Sequence, residues 1–414
     1  MGGIAARVPV DVAYGVFSIV TGVLLILLDR HPARNDFGAH WERARQIASG
    51  RWLAVPDPAG SGNYGRVLPD GSFVSFNNTA VNSPFVYFPS VFGGGSLLAS
   101  SLLTLVCCTV VTCAAIRLAG RFDTIILAVA LMPTFFLSLV YPTADAVTDS
   151  FSLLWVAYVL RVYQRDDGPD WGHVAVLSVL AAGLGQIKIT CVCLALLLAL
   201  PAMRVYHERR RIEFRLLIPF VLAVSSALAW MGLTRGVPPS AEVTAAEYDH
   251  AKSEAVRHVP TLLKSLLRTM VTPLDLTGDR YDTGRNIQFF TGSENTQLPA
   301  VTMTPVLFAC VLLVLYRNGA LPKLALPERA CVAVVVLGFY ALTCTGLIVS
   351  WGGVALGRYA AGMQSRYFIP VLAPLALLLP GLGVDLSSSP RSGRLIAALV
   401  VWTYAGLLAA HTLS

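Results

Sequence analysis

Asp36 and His40 stand four residues apart in the stretch 34–50, which reads RNDFGAHWERARQIASG. On a helix that spacing aims both side chains at one spot. A carboxylate so placed can act as a general base or share a divalent cation with the imidazole. It can equally do no more than cap the helix. Asp145 and Asp149 repeat the spacing in the segment 141–149, at a helix start where acids favour the macrodipole. Lys188, and Arg358 and Arg366 with Tyr359 and Tyr367 beside them, place cations at the edges of apolar runs. Ionisable groups at membrane depth are functional candidates by default, and Lys or Arg there suits a lipid phosphate. Ordinary snorkelling accounts for such residues as readily.

Between these lies the stretch 76–89, where Asn77, Asn78 and Asn82 precede Pro84, Phe85, Tyr87, Phe88 and Pro89. Asn and Pro favour a rigid turn packed near the Asp36 helix. Asn82 and Tyr87 suit sugar binding, while aromatics at this place also suit an interfacial belt. A charged cluster in 274–285 (Asp275, Asp279, Arg280, Asp282, Arg285) fits acceptor binding or surface ion pairs. No phosphate loop of the GxxxxGK type, dinucleotide fingerprint, HExxH or GxSxG stands in a fitting context, which argues against ATP-driven pumping by this chain.

The elements that must position these residues are membrane helices. The 414 residues have a mean hydropathy of +0.64, and 13% are charged, against roughly 25% in soluble domains. Apolar stretches of spanning length, roughly 17–25 residues, centre in 12–28, 96–116, 122–140, 216–233, 302–316, 330–350, 367–384 and 395–410, with a shorter one in 146–162. The stretch 173–203 is too long for one crossing and is interrupted by Gly183, Gly185, Gln186 and Lys188. It is expected to be a hairpin of two short helices with its tip at or just inside the far interface, since irregular backbone in a bilayer needs protein or water around it. The expectation is an all-α, polytopic transmembrane bundle of about eleven helices. Residues 1–414 then form a single membrane domain. No small-residue cleavage site follows 12–28, so that run is expected to be an uncleaved first helix.

A net charge of +7 could signal nucleic acid, but the basic residues are scattered among apolar runs and form no patch, so no nucleic-acid partner is expected. They orient the chain instead. With the N-terminus cytoplasmic, the short inner loops hold fourteen Lys or Arg, Arg209, Arg210 and Arg211 among them, as the positive-inside rule requires. That assignment puts the C-terminus and the loops 29–83, 141–149, 234–300 and 351–366 on the extracytoplasmic side. Loops beyond roughly 12–15 residues tend to be functional, so chemistry belongs there. All eight cysteines lie in apolar runs without a CxxC pair, where they behave as small hydrophobes.

Four segments together resemble a bacterial family of predicted membrane proteins catalogued as domain of unknown function 2142 (DUF2142). They are Asp36, His40, Trp41 and Gly50; Asn82-Ser83-Pro84 with Tyr87 and Pro89; Pro133 with Ala144-Asp145; and Gln364-Ser365-Arg366-Tyr367-Phe368-Ile369-Pro370. That family in turn resembles the GT-C superfamily of membrane glycosyltransferases. The resemblance implies a GT-C-like helix bundle whose extracytoplasmic loops bear short helices, a polyprenyl-phosphate sugar donor within the membrane lipid, and a cell-envelope glycan or glycolipid acceptor. It makes Asp36 the catalytic residue, with His40, Asn82, Tyr87, Asp145, Asp149, Lys188, Arg358, Arg366 and Tyr367 around the substrates. Relatives in the superfamily often carry an Asp-Glu pair at the key position, and here the second residue is Phe37. Asp36 would then be a lone base, or share a divalent cation with Asp145 or His40. The rival expectations are a transporter or flippase for a lipid-linked saccharide, and a non-catalytic envelope-assembly scaffold.

Overall fold

The computed structural model describes residues 9–28, 36–238, 243–271, 300–321, 323–350, 360, 364–382 and 390–413. The chain is overwhelmingly helical. Six described helices are long and apolar enough to cross a membrane: Val10–Leu28, Leu97–Leu118, Ile189–Arg209, Phe214–Leu233, Leu326–Ser350 and Gly393–Ala410. A seventh crossing results if the pair Gly120–Ala130 and Pro133–Leu139, bent by 82°, is one broken span. The bend falls at Pro133, which lacks the N–H that would continue the ladder and starts the second helix at its first turn. In Phe214–Leu233 only 22% of the apolar window is buried inside the protein. An apolar helix left so bare has lipid as its natural cover.

Four more apolar helices lie among these. Trp171–Leu184, Thr304–Arg317 and Ser365–Leu378 are shorter, and Ala144–Tyr163 carries Asp145, Asp149 and Arg161. Ala144–Tyr163 is buried along most of its length, and it packs on Leu97–Leu118, Trp171–Leu184 and the helix Ile369–Leu378. Such a helix can hold charge because protein, rather than lipid, surrounds it.

The expected hairpin in 173–203 forms with its turn at Gly185–Lys188, but its arms are unequal. Trp171–Leu184 has 14 residues. The returning arm opens as a 3-10 helix, Ile189–Leu198, of 10 residues and continues as the α-helix Ala199–Arg209 of 11. At about 2.0 and 1.5 Å per residue the returning arm reaches about 36 Å, enough to cross the roughly 30 Å hydrocarbon core. Gly185 permits the close approach of the turn to Phe214–Leu233, since a Cβ there would lie 2.5 Å from the Ala223 carbonyl oxygen.

The first loop departs from a purely helical expectation. After the helix Phe37–Ala48 comes a small antiparallel sheet of Val55–Pro56, Tyr64–Val67 and Phe73–Ser75. Its middle strand is tied to the helix by an ion pair of Arg66 with Glu42 at 2.5 Å. The strands alternate too briefly, over two to four residues, to show a period in sequence.

Candidate active site

Phe37–Ala48 is helical because Phe37, Ala44 and Ile47 supply a buried stripe, and it ends where Gly50 takes φ 81°. Asp36 stands at the N-cap in the left-handed region, φ 56°, and its side chain makes no capping hydrogen bond. The carboxylate is exposed and forms no hydrogen bond or ion pair among the described residues. Capping is therefore not its role here. The His40 amide donates to the Asp36 carbonyl oxygen at 3.1 Å, so Asp36 sits one helical turn before the imidazole.

His40 is held from two sides. Asn82 Nδ2 donates to the Tyr87 hydroxyl at 3.0 Å, and that hydroxyl lies 2.6 Å from His40 Nδ1. The Ala144 amide reaches the same nitrogen at 3.4 Å. With two donors converging on Nδ1, that nitrogen accepts and Nε2 carries the proton. Burial lowers the His40 pKa to about 3; nearby Asp145 works against the fall, while Arg366 and Lys188 add to it. The imidazole is neutral at ordinary pH. Burial also pushes the Tyr87 phenol up, which keeps it a hydrogen-bond donor.

Asp145 sits in the first turn of Ala144–Tyr163, 8% exposed. Lys188 Nζ lies 2.5 Å from its Oδ1, and Arg366 Nε 3.6 Å from its Oδ2. Tyr367 presents its ring to both cations, 4.8 Å from Lys188 Nζ and 5.5 Å from the Arg366 guanidinium carbon, a geometry in which the ring face attracts positive charge. Asp149 is buried one turn further along, with no hydrogen-bond partner for its Oδ2 among the described residues. The same holds for the buried side-chain oxygens of Thr143, Thr148 and Gln364. All four atoms lie within four residues of Asp145 or two of Arg366 in the chain.

The hairpin turn is what delivers Lys188. Gln186 accepts from Ser83 Oγ at 2.8 Å and donates to the Ser226 carbonyl and hydroxyl oxygens at 2.9 Å each. One side chain thus joins the turn to the Asn82 segment and to Phe214–Leu233. Trp230 Nε1 donates to the Val81 carbonyl at 2.7 Å and fixes the same segment again.

Of the residues singled out by spacing and resemblance, His40, Asn82, Tyr87, Asp145, Asp149, Lys188, Arg366 and Tyr367 come together, and Asp36 stands exposed one helical turn before His40. Arg358 lies outside the described residues, as does the 274–285 cluster. Sequence reasoning passed over Arg43. It is fully buried, bonds Gln46, and donates to the Trp52 and Asn82 carbonyls at 2.7 and 3.0 Å. Burial lowers its pKa only to about 10, so it stays charged. The available signal was its place three residues after His40, which puts the two side chains side by side on a helix.

Among the described residues no three His, Cys, Asp or Glu gather closely enough to hold a divalent cation, and the carboxylate of Asp145 is already met by two cations.

The family model described as "Predicted membrane protein (DUF2142)" matches residues 70–375. Neither a curated protein nor a solved structure matches the chain.

Proposed function

Because the chain belongs to the DUF2142 family of predicted membrane proteins, a description that names no reaction, we propose its activity from the site itself: transfer of a sugar from a polyprenyl-phosphate donor to a cell-envelope glycan or glycolipid. The reaction takes place on the extracytoplasmic side of the membrane, in a GT-C-like bundle of about eleven crossings with its N-terminus cytoplasmic. The observation that carries this proposal is the exposed Asp36 carboxylate, free of a capping bond, one turn from His40, with His40 in turn close to a single carboxylate, Asp145, that holds two cations, Lys188 and Arg366. The orphaned oxygens of Thr143, Thr148, Asp149 and Gln364 support it, since buried polar atoms without partners call for a polar ligand or water.

In this reaction Asp36 takes the proton of the acceptor hydroxyl. The acceptor oxygen attacks the anomeric carbon from the face opposite the phosphate, and the bond from that carbon to the phosphate oxygen breaks with inversion. The electron pair leaves on the polyprenyl phosphate, whose growing negative charge Lys188 and Arg366 offset. Asp145 holds both cations in place before the donor arrives. Neutral His40, with its proton on Nε2, is a hydrogen-bond donor rather than a second base.

The test uses the full chain in proteoliposomes with labelled polyprenyl-phosphate sugars and envelope extract. Release of polyprenyl phosphate is expected, and Asp36→Asn is expected to slow it by at least about 100-fold while the fold stays intact. A variant that still transfers sugar at the original rate removes Asp36 from the mechanism. Movement of the intact donor across the bilayer without cleavage would instead identify a flippase. Envelope glycans compared with and without the gene name the acceptor.

A further inference from the structure

The helix Val259–Val271 buries two hydroxyl residues while several of its large apolar residues face outward. Ser265 and Thr269 are buried, whereas Leu263, Leu267 and Met270 are 54%, 54% and 52% exposed. At about 100° per residue, Val259, Leu263, Leu267 and Met270 form one stripe, and Lys264 and Arg268 border it one turn apart. Its inner face is fixed to the protein. Leu262 and Leu266 pack on Cys344, Ile348 and Ala360; the Tyr340 hydroxyl donates to the Leu266 carbonyl at 2.9 Å, and the Ala360 amide to Thr269 Oγ1 at 2.8 Å.

Tyr340, Cys344 and Ile348 belong to the last turns of the 25-residue candidate span Leu326–Ser350. The helix therefore lies where a membrane crossing ends. Its 13 residues extend about 20 Å, too little to cross a core of roughly 30 Å. Its exposed stripe resembles the bare face of Val10–Leu28, where Val16, Val20 and Leu27 are 60%, 56% and 62% exposed.

We propose that Val259–Val271 lies in the plane of the membrane interface. Its Leu263–Leu267–Met270 stripe sits among acyl chains, and Lys264 and Arg268 sit over anionic phospholipid headgroups. An apolar stripe flanked by basic residues has this property, and the cations supply the charge complementarity that selects anionic lipid. The surface is independent of the glycosyl-transfer reading. Among the described residues it approaches the site through Ala360, four residues before Gln364, and through the cluster that also takes in Phe368, next to Tyr367.

The experiment places p-benzoylphenylalanine at Leu263 of the full-length protein. The protein is irradiated in nanodiscs of phosphatidylcholine alone or mixed with phosphatidylglycerol, and the adducts are weighed. Lipid adducts are expected several-fold above those of the same probe at exposed Ser61. Replacing both cations (Lys264→Gln with Arg268→Gln) is expected to lower the share of phosphatidylglycerol adducts while phosphatidylcholine adducts persist. Lipid adducts at the Ser61 level overturn the proposal, as do crosslinks from Leu263 to a second copy or to the chain's own 272–299. An unchanged lipid preference in the double variant overturns the headgroup assignment.

Discussion

His40 is kept neutral by burial and by the cations around Asp145, and that has a cost at low pH. Its folded pKa, about 3, lies below the value near 6.5 expected for an unfolded chain. The folded state therefore binds fewer protons. The stability from a neutral His40 is fully present above about pH 6.5 and is lost as pH falls toward 3. We predict that the melting temperature in detergent falls over this window, and that His40→Gln flattens the fall; parallel curves for the two proteins would sink the assignment. Asp145 makes a second prediction at this scale. Asp145→Asn leaves Lys188 and Arg366 facing each other without their shared carboxylate, and breaking a mostly buried pair of this kind costs about 3–5 kcal/mol. Thermal unfolding should show a clear loss for Asp145→Asn and a smaller one for Lys188→Arg, which retains the charge.

Among the elements, the hairpin turn and the Asn82 segment decide whether the site exists at all. Gly185→Ala would push a methyl group to 2.5 Å from the Ala223 carbonyl oxygen and 2.7 Å from the Ala227 nitrogen. Both are backbone atoms of Phe214–Leu233, so the helices must part, and overpacking of this sort costs about 1–3 kcal/mol. The Gln186 bridge to Ser226 and Ser83 should loosen with it. Gly346→Ala is the control, since no atom lies within 4 Å of its added Cβ. Unfolding measurements that rank the two alike would overturn the packing account. In the long loop the sequence of 242–264 reads as one amphipathic helix, whereas the structure forms two, Ala245–Arg257 and Val259–Val271. Pro260 explains the break, because it disfavours helical backbone at the residue before it and is tolerated only in a first turn.

For the whole molecule, orientation is the testable quantity. The positive-inside count places the loop with Ser61 outside and the loop with Arg209, Arg210 and Arg211 inside. A membrane-impermeant maleimide applied to intact cells should label Ser61→Cys, and should label Arg210→Cys only after the membrane is opened. The reverse pattern would put the Asp36 site in the cytoplasm and end the proposal that the donor is used outside.

Hydropathy alone established a membrane protein rich in apolar helices, because a bilayer demands long uncharged runs and these survive in any reading of the chain. The turn near Gly185 was legible too, since Gly, Gln and Lys interrupt an otherwise apolar stretch. Spacing pointed to Asp36 with His40 and to Asp145 with Asp149 because helical period is a local property. Tertiary structure alone decided the rest. Lys188 and Arg366, 178 residues apart in the numbering, meet on Asp145 only after the hairpin and the Ser365–Phe368 turn are packed. Asp36 proved uncapped, which no spacing could reveal, because both roles use the same position. Arg43 and Gln186 become supports through bonds to carbonyls and side chains far along the chain, and contacts of that kind leave no period in a sequence.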